Sequence, residues 1–274
     1  MTARPAFPPP VPPRGLFGPG SVMWKINQER VILLGGPTAA VLQVAHPQVA
    51  RGVAEHSRFK SNAYARLTRT LEAIYAISFG NDAEVLRVAN MVHKIHRHVK
   101  NREGEPAYSA LDDDLQLWVL ATLVTGATFC YERFVGPLSE AEKEAYLRDM
   151  RVWGEFFGVR RDYGPQSWPG FQEYYHGMIN GPLLGSDPIC AEVVHHVVYP
   201  KRPRLFAAAT RPLEFLVTET IPQPLLARLG LASKPWTRTA WSATGRLLPP
   251  LYPFIPGILR HPAEYRHAKK LWAP

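Results

Sequence analysis

The chain has 274 residues, 46% of them hydrophobic and 20% charged, with a net charge of +9. That balance excludes a disordered chain, and the length suffices to bury a core without staples. Two cysteines, Cys130 and Cys190, exclude a disulfide scaffold and any multi-cysteine zinc or iron–sulfur centre; the cations are scattered, so no nucleic-acid groove is expected.

Residues 1–20 carry seven prolines and read as an extended arm, since proline denies both helix and ladder hydrogen bonds. Prolines also fill the place where the apolar core of an export signal would lie, so a cytoplasmic protein is expected. From Ser21 to about Glu155 the pattern is helical. Pro37 fits the first turn of a helix to Ala45, and Pro47 starts the next. Asn62 is placed to cap a helix through Phe79, which Gly80 ends. Asn81 or Asp82 caps a helix to about Val99. Asp112 to Asp114 open a long helix to Phe134, closed by Gly136-Pro137. Ser139-Glu140-Ala141-Glu142 is a capping box for a helix to Phe156. From Arg160 onward frequent Pro and Gly predict short helices, and Leu248 to Pro262 holds five prolines. Strand alternation and hairpin dipeptides are hard to find. The uncharged stretches Val31–Ala50 and Leu115–Tyr131 are interrupted by polar residues and read as buried core helices, not membrane spans. The expected architecture is all-α: a single-domain helical bundle over residues 21–274, preceded by the arm.

On the helix from Ala83 to Val99, residues Val85, Val88, Val92, Ile95 and Val99 form one stripe. His96 borders that stripe, whereas His93 and His98 point away from it. An imidazole on an apolar face needs a partner for each ring nitrogen, which a metal can supply and a backbone carbonyl supplies more often. On the preceding helix, Tyr64, Leu67, Leu71, Ile74 and Ser78 form the core stripe, with Thr70 near its edge and Arg66 one turn away. Arg66 is suited to clamp a carboxylate and Thr70 to donate a hydroxyl into a pocket; a solvated helix edge would look the same. His46 and His56 sit at helix ends, where capping or core roles are common. Three Glu-x-x-His pairs, Glu173/His176, Glu192/His195 and Glu264/His267, match the spacing of di-iron carboxylate sites. Proline and glycine interrupt the segments between them, leaving little room for the long helices such a site needs. Nucleotide-binding glycine loops and serine-hydrolase motifs are absent.

Taken in order, Leu33-Leu34-Gly35-Gly36-Pro37, Gln43-Val44-Ala45-His46-Pro47, Gly52-Val53-Ala54-Glu55-His56-Ser57-Arg58-Phe59, Arg66-Leu67-Thr68-Arg69-Thr70-Leu71, Ile95-His96-Arg97-His98-Val99 and Tyr131-Glu132-Arg133-Phe134 resemble the latex-clearing-protein and MpaB-type oxygenases. The resemblance covers about residues 30–200 well and the remainder loosely. It implies an all-helical fold enclosing a haem b pocket, His96 as the axial iron ligand, and Arg66 and Thr70 as the family's Arg-x-x-x-Thr pair beside the haem. Two positions depart from the pattern. Rubber-cleaving members carry a lysine immediately before the threonine, where this chain has Arg69, a cofactor-side residue whose guanidinium has no lone pair to offer iron. Many relatives carry a histidine where this chain has Leu120. These enzymes' long N-terminal extension is also missing, so polyisoprene is not the expected substrate.

The first reading is therefore a haem b-dependent oxygenase. It would oxidise an apolar small molecule with dioxygen, with cleavage of a carbon–carbon double bond as the reaction considered. Neither nucleic acid nor stable membrane insertion is expected, and the oligomeric state stays open. The alternatives are a haem-binding sensor or carrier without turnover, and a di-iron carboxylate oxidase.

Overall fold

In the computed structural model the described residues are 7–56, 63–101, 107–199 and 211–272; the side chains of 63–69, 211 and 213 lie outside the description. Among them are fourteen α-helices and one two-stranded antiparallel ribbon, so the fold is all-α as expected. The ribbon pairs β1 (Lys100–Asn101) with β2 (Tyr108–Ser109) and is too short to have a periodic signature.

The helix starts follow local capping chemistry. Ser21 accepts from the Trp24 amide to open α1 (Val22–Asn27). A 3₁₀ segment, Arg30–Gly35, leads into α2 (Gly36–Val44), with Pro37 in its first turn, and Pro47 begins α3 (Pro47–His56). The cap expected at Asn62 lies outside the described residues; α4 runs Ala63–Phe79. α5 (Asp82–His96) opens with a full capping box: the Asn81 side chain accepts from the Glu84 amide at 3.0 Å, and the Glu84 carboxylate accepts from the Asn81 amide at 3.0 Å. Helix α6 (Asp113–Phe134) is followed by α7 (Glu140–Glu155), whose capping box joins Ser139 and Glu142.

α5 ends at His96, not near Val99. The Val99 carbonyl accepts from the Ala110 amide at 2.8 Å, and the chain turns into β1; ribbon pairing takes the backbone groups another helical turn would use. Beyond Arg160, α8 (Trp168–Asn180), α9 (Pro188–Val198), α10 (Arg211–Thr220) and α11 (Gln223–Arg228) are short, as the prolines predict. α12 (Pro235–Leu251) is an exception at 17 residues, and it runs through Pro249 and Pro250. Both prolines fall in its last turn, where few amide bonds are forfeited, and the Tyr252 amide restores contact with the Leu248 carbonyl. The tail continues through α13 (Gly257–Arg260) and α14 (Ala263–Leu271).

α6 is the axis, flanked by the 3₁₀ segment, α2, α7 and α12. Its side chains are buried around most of its circumference, which explains the absence of polar alternation in its sequence. Gly35 and Gly126 permit the closest approach: a Cβ on Gly35 would lie 2.6 Å from the Gly126 carbonyl oxygen. No helix among the described residues is long and apolar enough to cross a membrane. Both cysteines are buried, and burial pushes the Cys130 thiol up to about 12, so it stays protonated.

Polar anchors fix the ends of the chain to this body. Asn27, Ser78 and Tyr146 form a buried network, with the Tyr146 hydroxyl donating to Asn27 Oδ1 at 2.9 Å and Asn27 Nδ2 to Ser78 Oγ at 3.1 Å. Glu29 is buried and accepts from Arg260 Nη2 at 2.8 Å and from the Tyr252 hydroxyl at 2.8 Å, tying the tail to the start of the chain. Residues 7–20 hold no helix or strand, but Phe17 is buried and Phe7, Val11 and Leu16 pack against the core.

Candidate functional site

α4 and α5 are joined by Gly80 and Asn81 alone, which turns the chain back on itself. The ion pair of Glu72 with Arg87, at 2.8 Å, gives their register: earlier residues of α4 lie beside later residues of α5. The backbone therefore carries Arg66, Arg69 and Thr70 along the half of α4 that runs beside the C-terminal half of α5. The side chains of Arg66 and Arg69 lie outside the described residues; Thr70 is exposed.

α5 is anchored by Val85, Val88 and Ala89, all fully buried, and Val92 packs at the core's edge. The expected stripe does not persist to Ile95, which is exposed in the last turn of α5. His93, which its phase turns away from the stripe, is nonetheless half-buried: the N-terminal segment lays Phe7 over its ring at a centroid distance of 4.2 Å. His98 is exposed, and its Nδ1 lies 2.7 Å from the Lys94 carbonyl.

His96 is the last residue of α5 and is partly buried, with its Nδ1 enclosed and without a hydrogen-bond partner. Burial holds its pKa below the usual imidazole range; the Phe157 carbonyl opposes that shift and His93 adds to it. The ring is accordingly neutral at pH 7 and retains a lone pair, the state that metal ligation requires. An unpaired nitrogen inside a protein is unfavourable unless something occupies it. The same Phe157 carbonyl accepts from Gln116 Nε2 at 3.2 Å, and Gln116 Oε1 is likewise buried without a partner. The chemistry of this end of α5, a neutral imidazole close to a second unsatisfied polar group, fits a haem iron ligand. Gln116 is a site neighbour that pattern reading misses; its only signal is a polar side chain inside the apolar run of α6.

His46 is buried at the junction of α2 and α3, and its Nδ1 also lacks a partner. Burial lowers its pKa, with the Asp114 carboxylate pulling the other way. Nearby, Trp118 is fully buried, donates from Nε1 to the Leu42 carbonyl at 2.9 Å, and stacks on Tyr175. Leu120 packs on Gly154, where it fills core space. His56 is exposed at the end of α3, against the edge of Tyr108. A groove of about 420 Å³ lies elsewhere, between α4, α14 and the N-terminal segment, with Tyr75, Arg87, His267 and Trp272 among its walls. Its α4 and α5 lining lies between Glu72 and Arg87, at the Gly80 end of that helix pair, which separates it from His96.

The Glu-x-x-His spacings do not converge. Glu173, His176, Glu192, His195, Glu264 and His267 are all exposed, so none points into a bundle core as a di-iron carboxylate site demands. Among the described residues no three His, Cys, Asp or Glu side chains cluster to hold a metal ion.

Residues 23–249 match the family described as ER-bound oxygenase mpaB/B'/Rubber oxygenase, catalytic domain. The chain belongs to this family. The match to the mpaB/rubber oxygenase catalytic domain begins inside α1, reaches α12 and leaves out α13 and α14. Uncharacterised proteins of Mycobacterium bovis and Mycobacterium tuberculosis are each 32% identical to it over 148 residues, or 52% of this chain and 57% of theirs. The chain thus spans little more than half the length of these curated relatives. No solved structure matches it.

Proposed function

We propose that this chain is a haem b-dependent oxygenase that oxidises an apolar small molecule with dioxygen, and that His96 holds the iron. The reading rests on one observation above all: in a member of an oxygenase family, the last residue of α5 is a neutral imidazole whose enclosed Nδ1 has no protein partner. Haem iron, when bound, supplies the binding and activation of dioxygen.

The protein's own side chains have simpler tasks. His96 orients the cofactor and stays unprotonated because burial disfavours its charged form. Arg66 would pair with a propionate carboxylate, and Thr70, one turn along α4, would offer a hydroxyl. Arg69 would add a cation to this stretch of α4 that has no lone pair to offer iron. Oxidative cleavage of a carbon–carbon double bond is the reaction this reading favours, because rubber, which the family's description names, is an unsaturated hydrocarbon.

The test is spectroscopic. Protein with its haem sites filled should show a Soret band, and His96→Ala should lose it or shift it strongly. Retention of the parent spectrum and haem content by His96→Ala would refute the assignment. Oxygen consumption by the ferrous protein in the presence of an apolar alkene separates an oxygenase from a haem carrier.

A further inference from the structure

The N-terminal segment makes contact at both ends of α5. Its inner contact is at the turn between α4 and α5: Gly15 has φ +96°, and a Cβ there would collide with the Gly80 carbonyl oxygen. Glycine alone meets both demands. Phe17, two residues on, is buried and holds this end in the core. The outer contact is Phe7, whose ring lies on His93 with the two planes 23° apart. Gly80 precedes the cap of α5 and His93 falls near its C-terminus, so the two contacts bracket the helix. From Asn81 to His93 an α-helix rises about 18 Å, and the extended chain from Gly15 to Phe7 reaches about 25 Å, so the segment is long enough to run as a strap along α5.

The strap is stiff and is held by side chains. Pro8, Pro9, Pro10, Pro12 and Pro13 have fixed φ and no amide to donate. The Gly15 amide closes a turn inside the strap, on the Pro12 carbonyl at 2.8 Å, and among the described residues no hydrogen bond joins residues 7–17 to a helix. Val11 and Leu16 pack against the core instead, and the Arg14 guanidinium lies 5.5 Å from the ring centre of Trp272. A stiff strap fixed at Gly15 and Phe17 carries that fixity to its tip.

The two ends of α5 differ in what the core does for them. Val85, Val88 and Ala89 are fully buried in its first half, whereas Lys94, Ile95 and Arg97 are exposed around His96. His93 precedes His96 by three residues, so their side chains are neighbours on the helix surface. A ring laid on His93 therefore bears on the turn that aims His96. The strap lies ahead of residue 23, where the match to the oxygenase domain begins.

We propose that Phe7 is a positioning residue: the strap that carries it clamps the last turn of α5 and so fixes the direction of His96. Its bearing on cofactor retention rests on His96 as the iron ligand; its hold on the helix does not. The test uses the full chain in two arms. Without haem, amide hydrogen exchange is followed at Arg97, which donates to the His93 carbonyl at 3.0 Å, and at Val85, which donates to the Asn81 carbonyl at 3.0 Å at the other end of α5. Phe7→Ala should speed exchange at Arg97 about threefold to tenfold and leave Val85 unchanged, and Phe7→Tyr, which keeps a ring, should restore the parent rate. With haem bound, transfer of haem to apomyoglobin should be faster from Phe7→Ala by a similar factor, and Phe7→Tyr should again match the parent. Unchanged exchange at Arg97 in Phe7→Ala would overturn the clamp, as would equal acceleration at Val85, which reads a general loss of stability. Faster exchange with unaltered haem transfer would overturn the role toward His96. A parent chain that takes up no haem would refute the proposed function, and the exchange arm would still decide the clamp.

Discussion

Replacing Glu29 with alanine should loosen the tail from the body, and the size of the effect can be worked from the contacts. Glu29 is 4% exposed and accepts from Arg260 at 2.8 and 3.3 Å and from the Tyr252 hydroxyl at 2.8 Å. Removing one partner of a fully buried ion pair costs about 3–5 kcal/mol. Arg260 retains 21% exposure and can regain water, so a value of about 2–3 kcal/mol is expected. The measurement is a double-mutant cycle in urea: Glu29→Ala, Arg260→Ala and the double variant. Once Glu29 is gone, Arg260→Ala should do little further harm, giving a coupling energy of at least about 1 kcal/mol. Limited proteolysis should cut between residues 252 and 260 sooner in Glu29→Ala than in the parent. If the two single changes add within about 0.5 kcal/mol, the clamp is an incidental surface contact and the reasoning fails.

Other outcomes follow from the same geometry. Gly35→Ala should destabilise by about 1–3 kcal/mol, because its Cβ would meet the Gly126 carbonyl oxygen at 2.6 Å, whereas Gly126→Ala, with its nearest neighbour at 3.3 Å, should cost less; thermal melts of the two compare them directly. Burial lowers the pKa of His46, so the unfolded chain takes up that proton more readily. Stability is then full above the ordinary imidazole range and declines as pH falls through the depressed value, and His46→Phe should make urea midpoints less sensitive to that fall. Glu142 is held down to about 2 by Lys25 and the Ser139 cap, so its contribution is present above the ordinary carboxylate range and is lost as pH drops towards 2; Glu142→Gln should flatten the acid limb of a denaturation curve. Arg66→Ala should reduce haem retention more than Thr70→Ala does, since a propionate without its cation is left unpaired, and pyridine haemochrome titration of the purified variants reads the difference.

The sequence by itself determined the helical class, most helix starts and the family. Caps and first-turn prolines are local chemistry: Asn81 with Glu84, Ser139 with Glu142, and Pro37 and Pro47 act within a few residues of themselves. His96 could be singled out from its position beside an apolar stripe. What surrounds it could not, because the Phe157 carbonyl approaches it from beyond α7's end, and Gln116 shares that carbonyl from α6, across distances in the chain that periodicity does not record. Tertiary contact also reversed local expectations. α5 stops at His96 because Val99 is drawn into pairing with Ala110, and His93 is covered because the N-terminal segment returns to place Phe7 on it. The Glu-x-x-His spacings look alike in the sequence, yet each helix turns them outward, since the face a helix buries is chosen by its neighbours. The tail shows the same principle in reverse: Leu251, Phe254, Ile258 and Leu259 read as core in any sequence window, yet they are exposed on a segment that Tyr252 and Arg260 tie to Glu29.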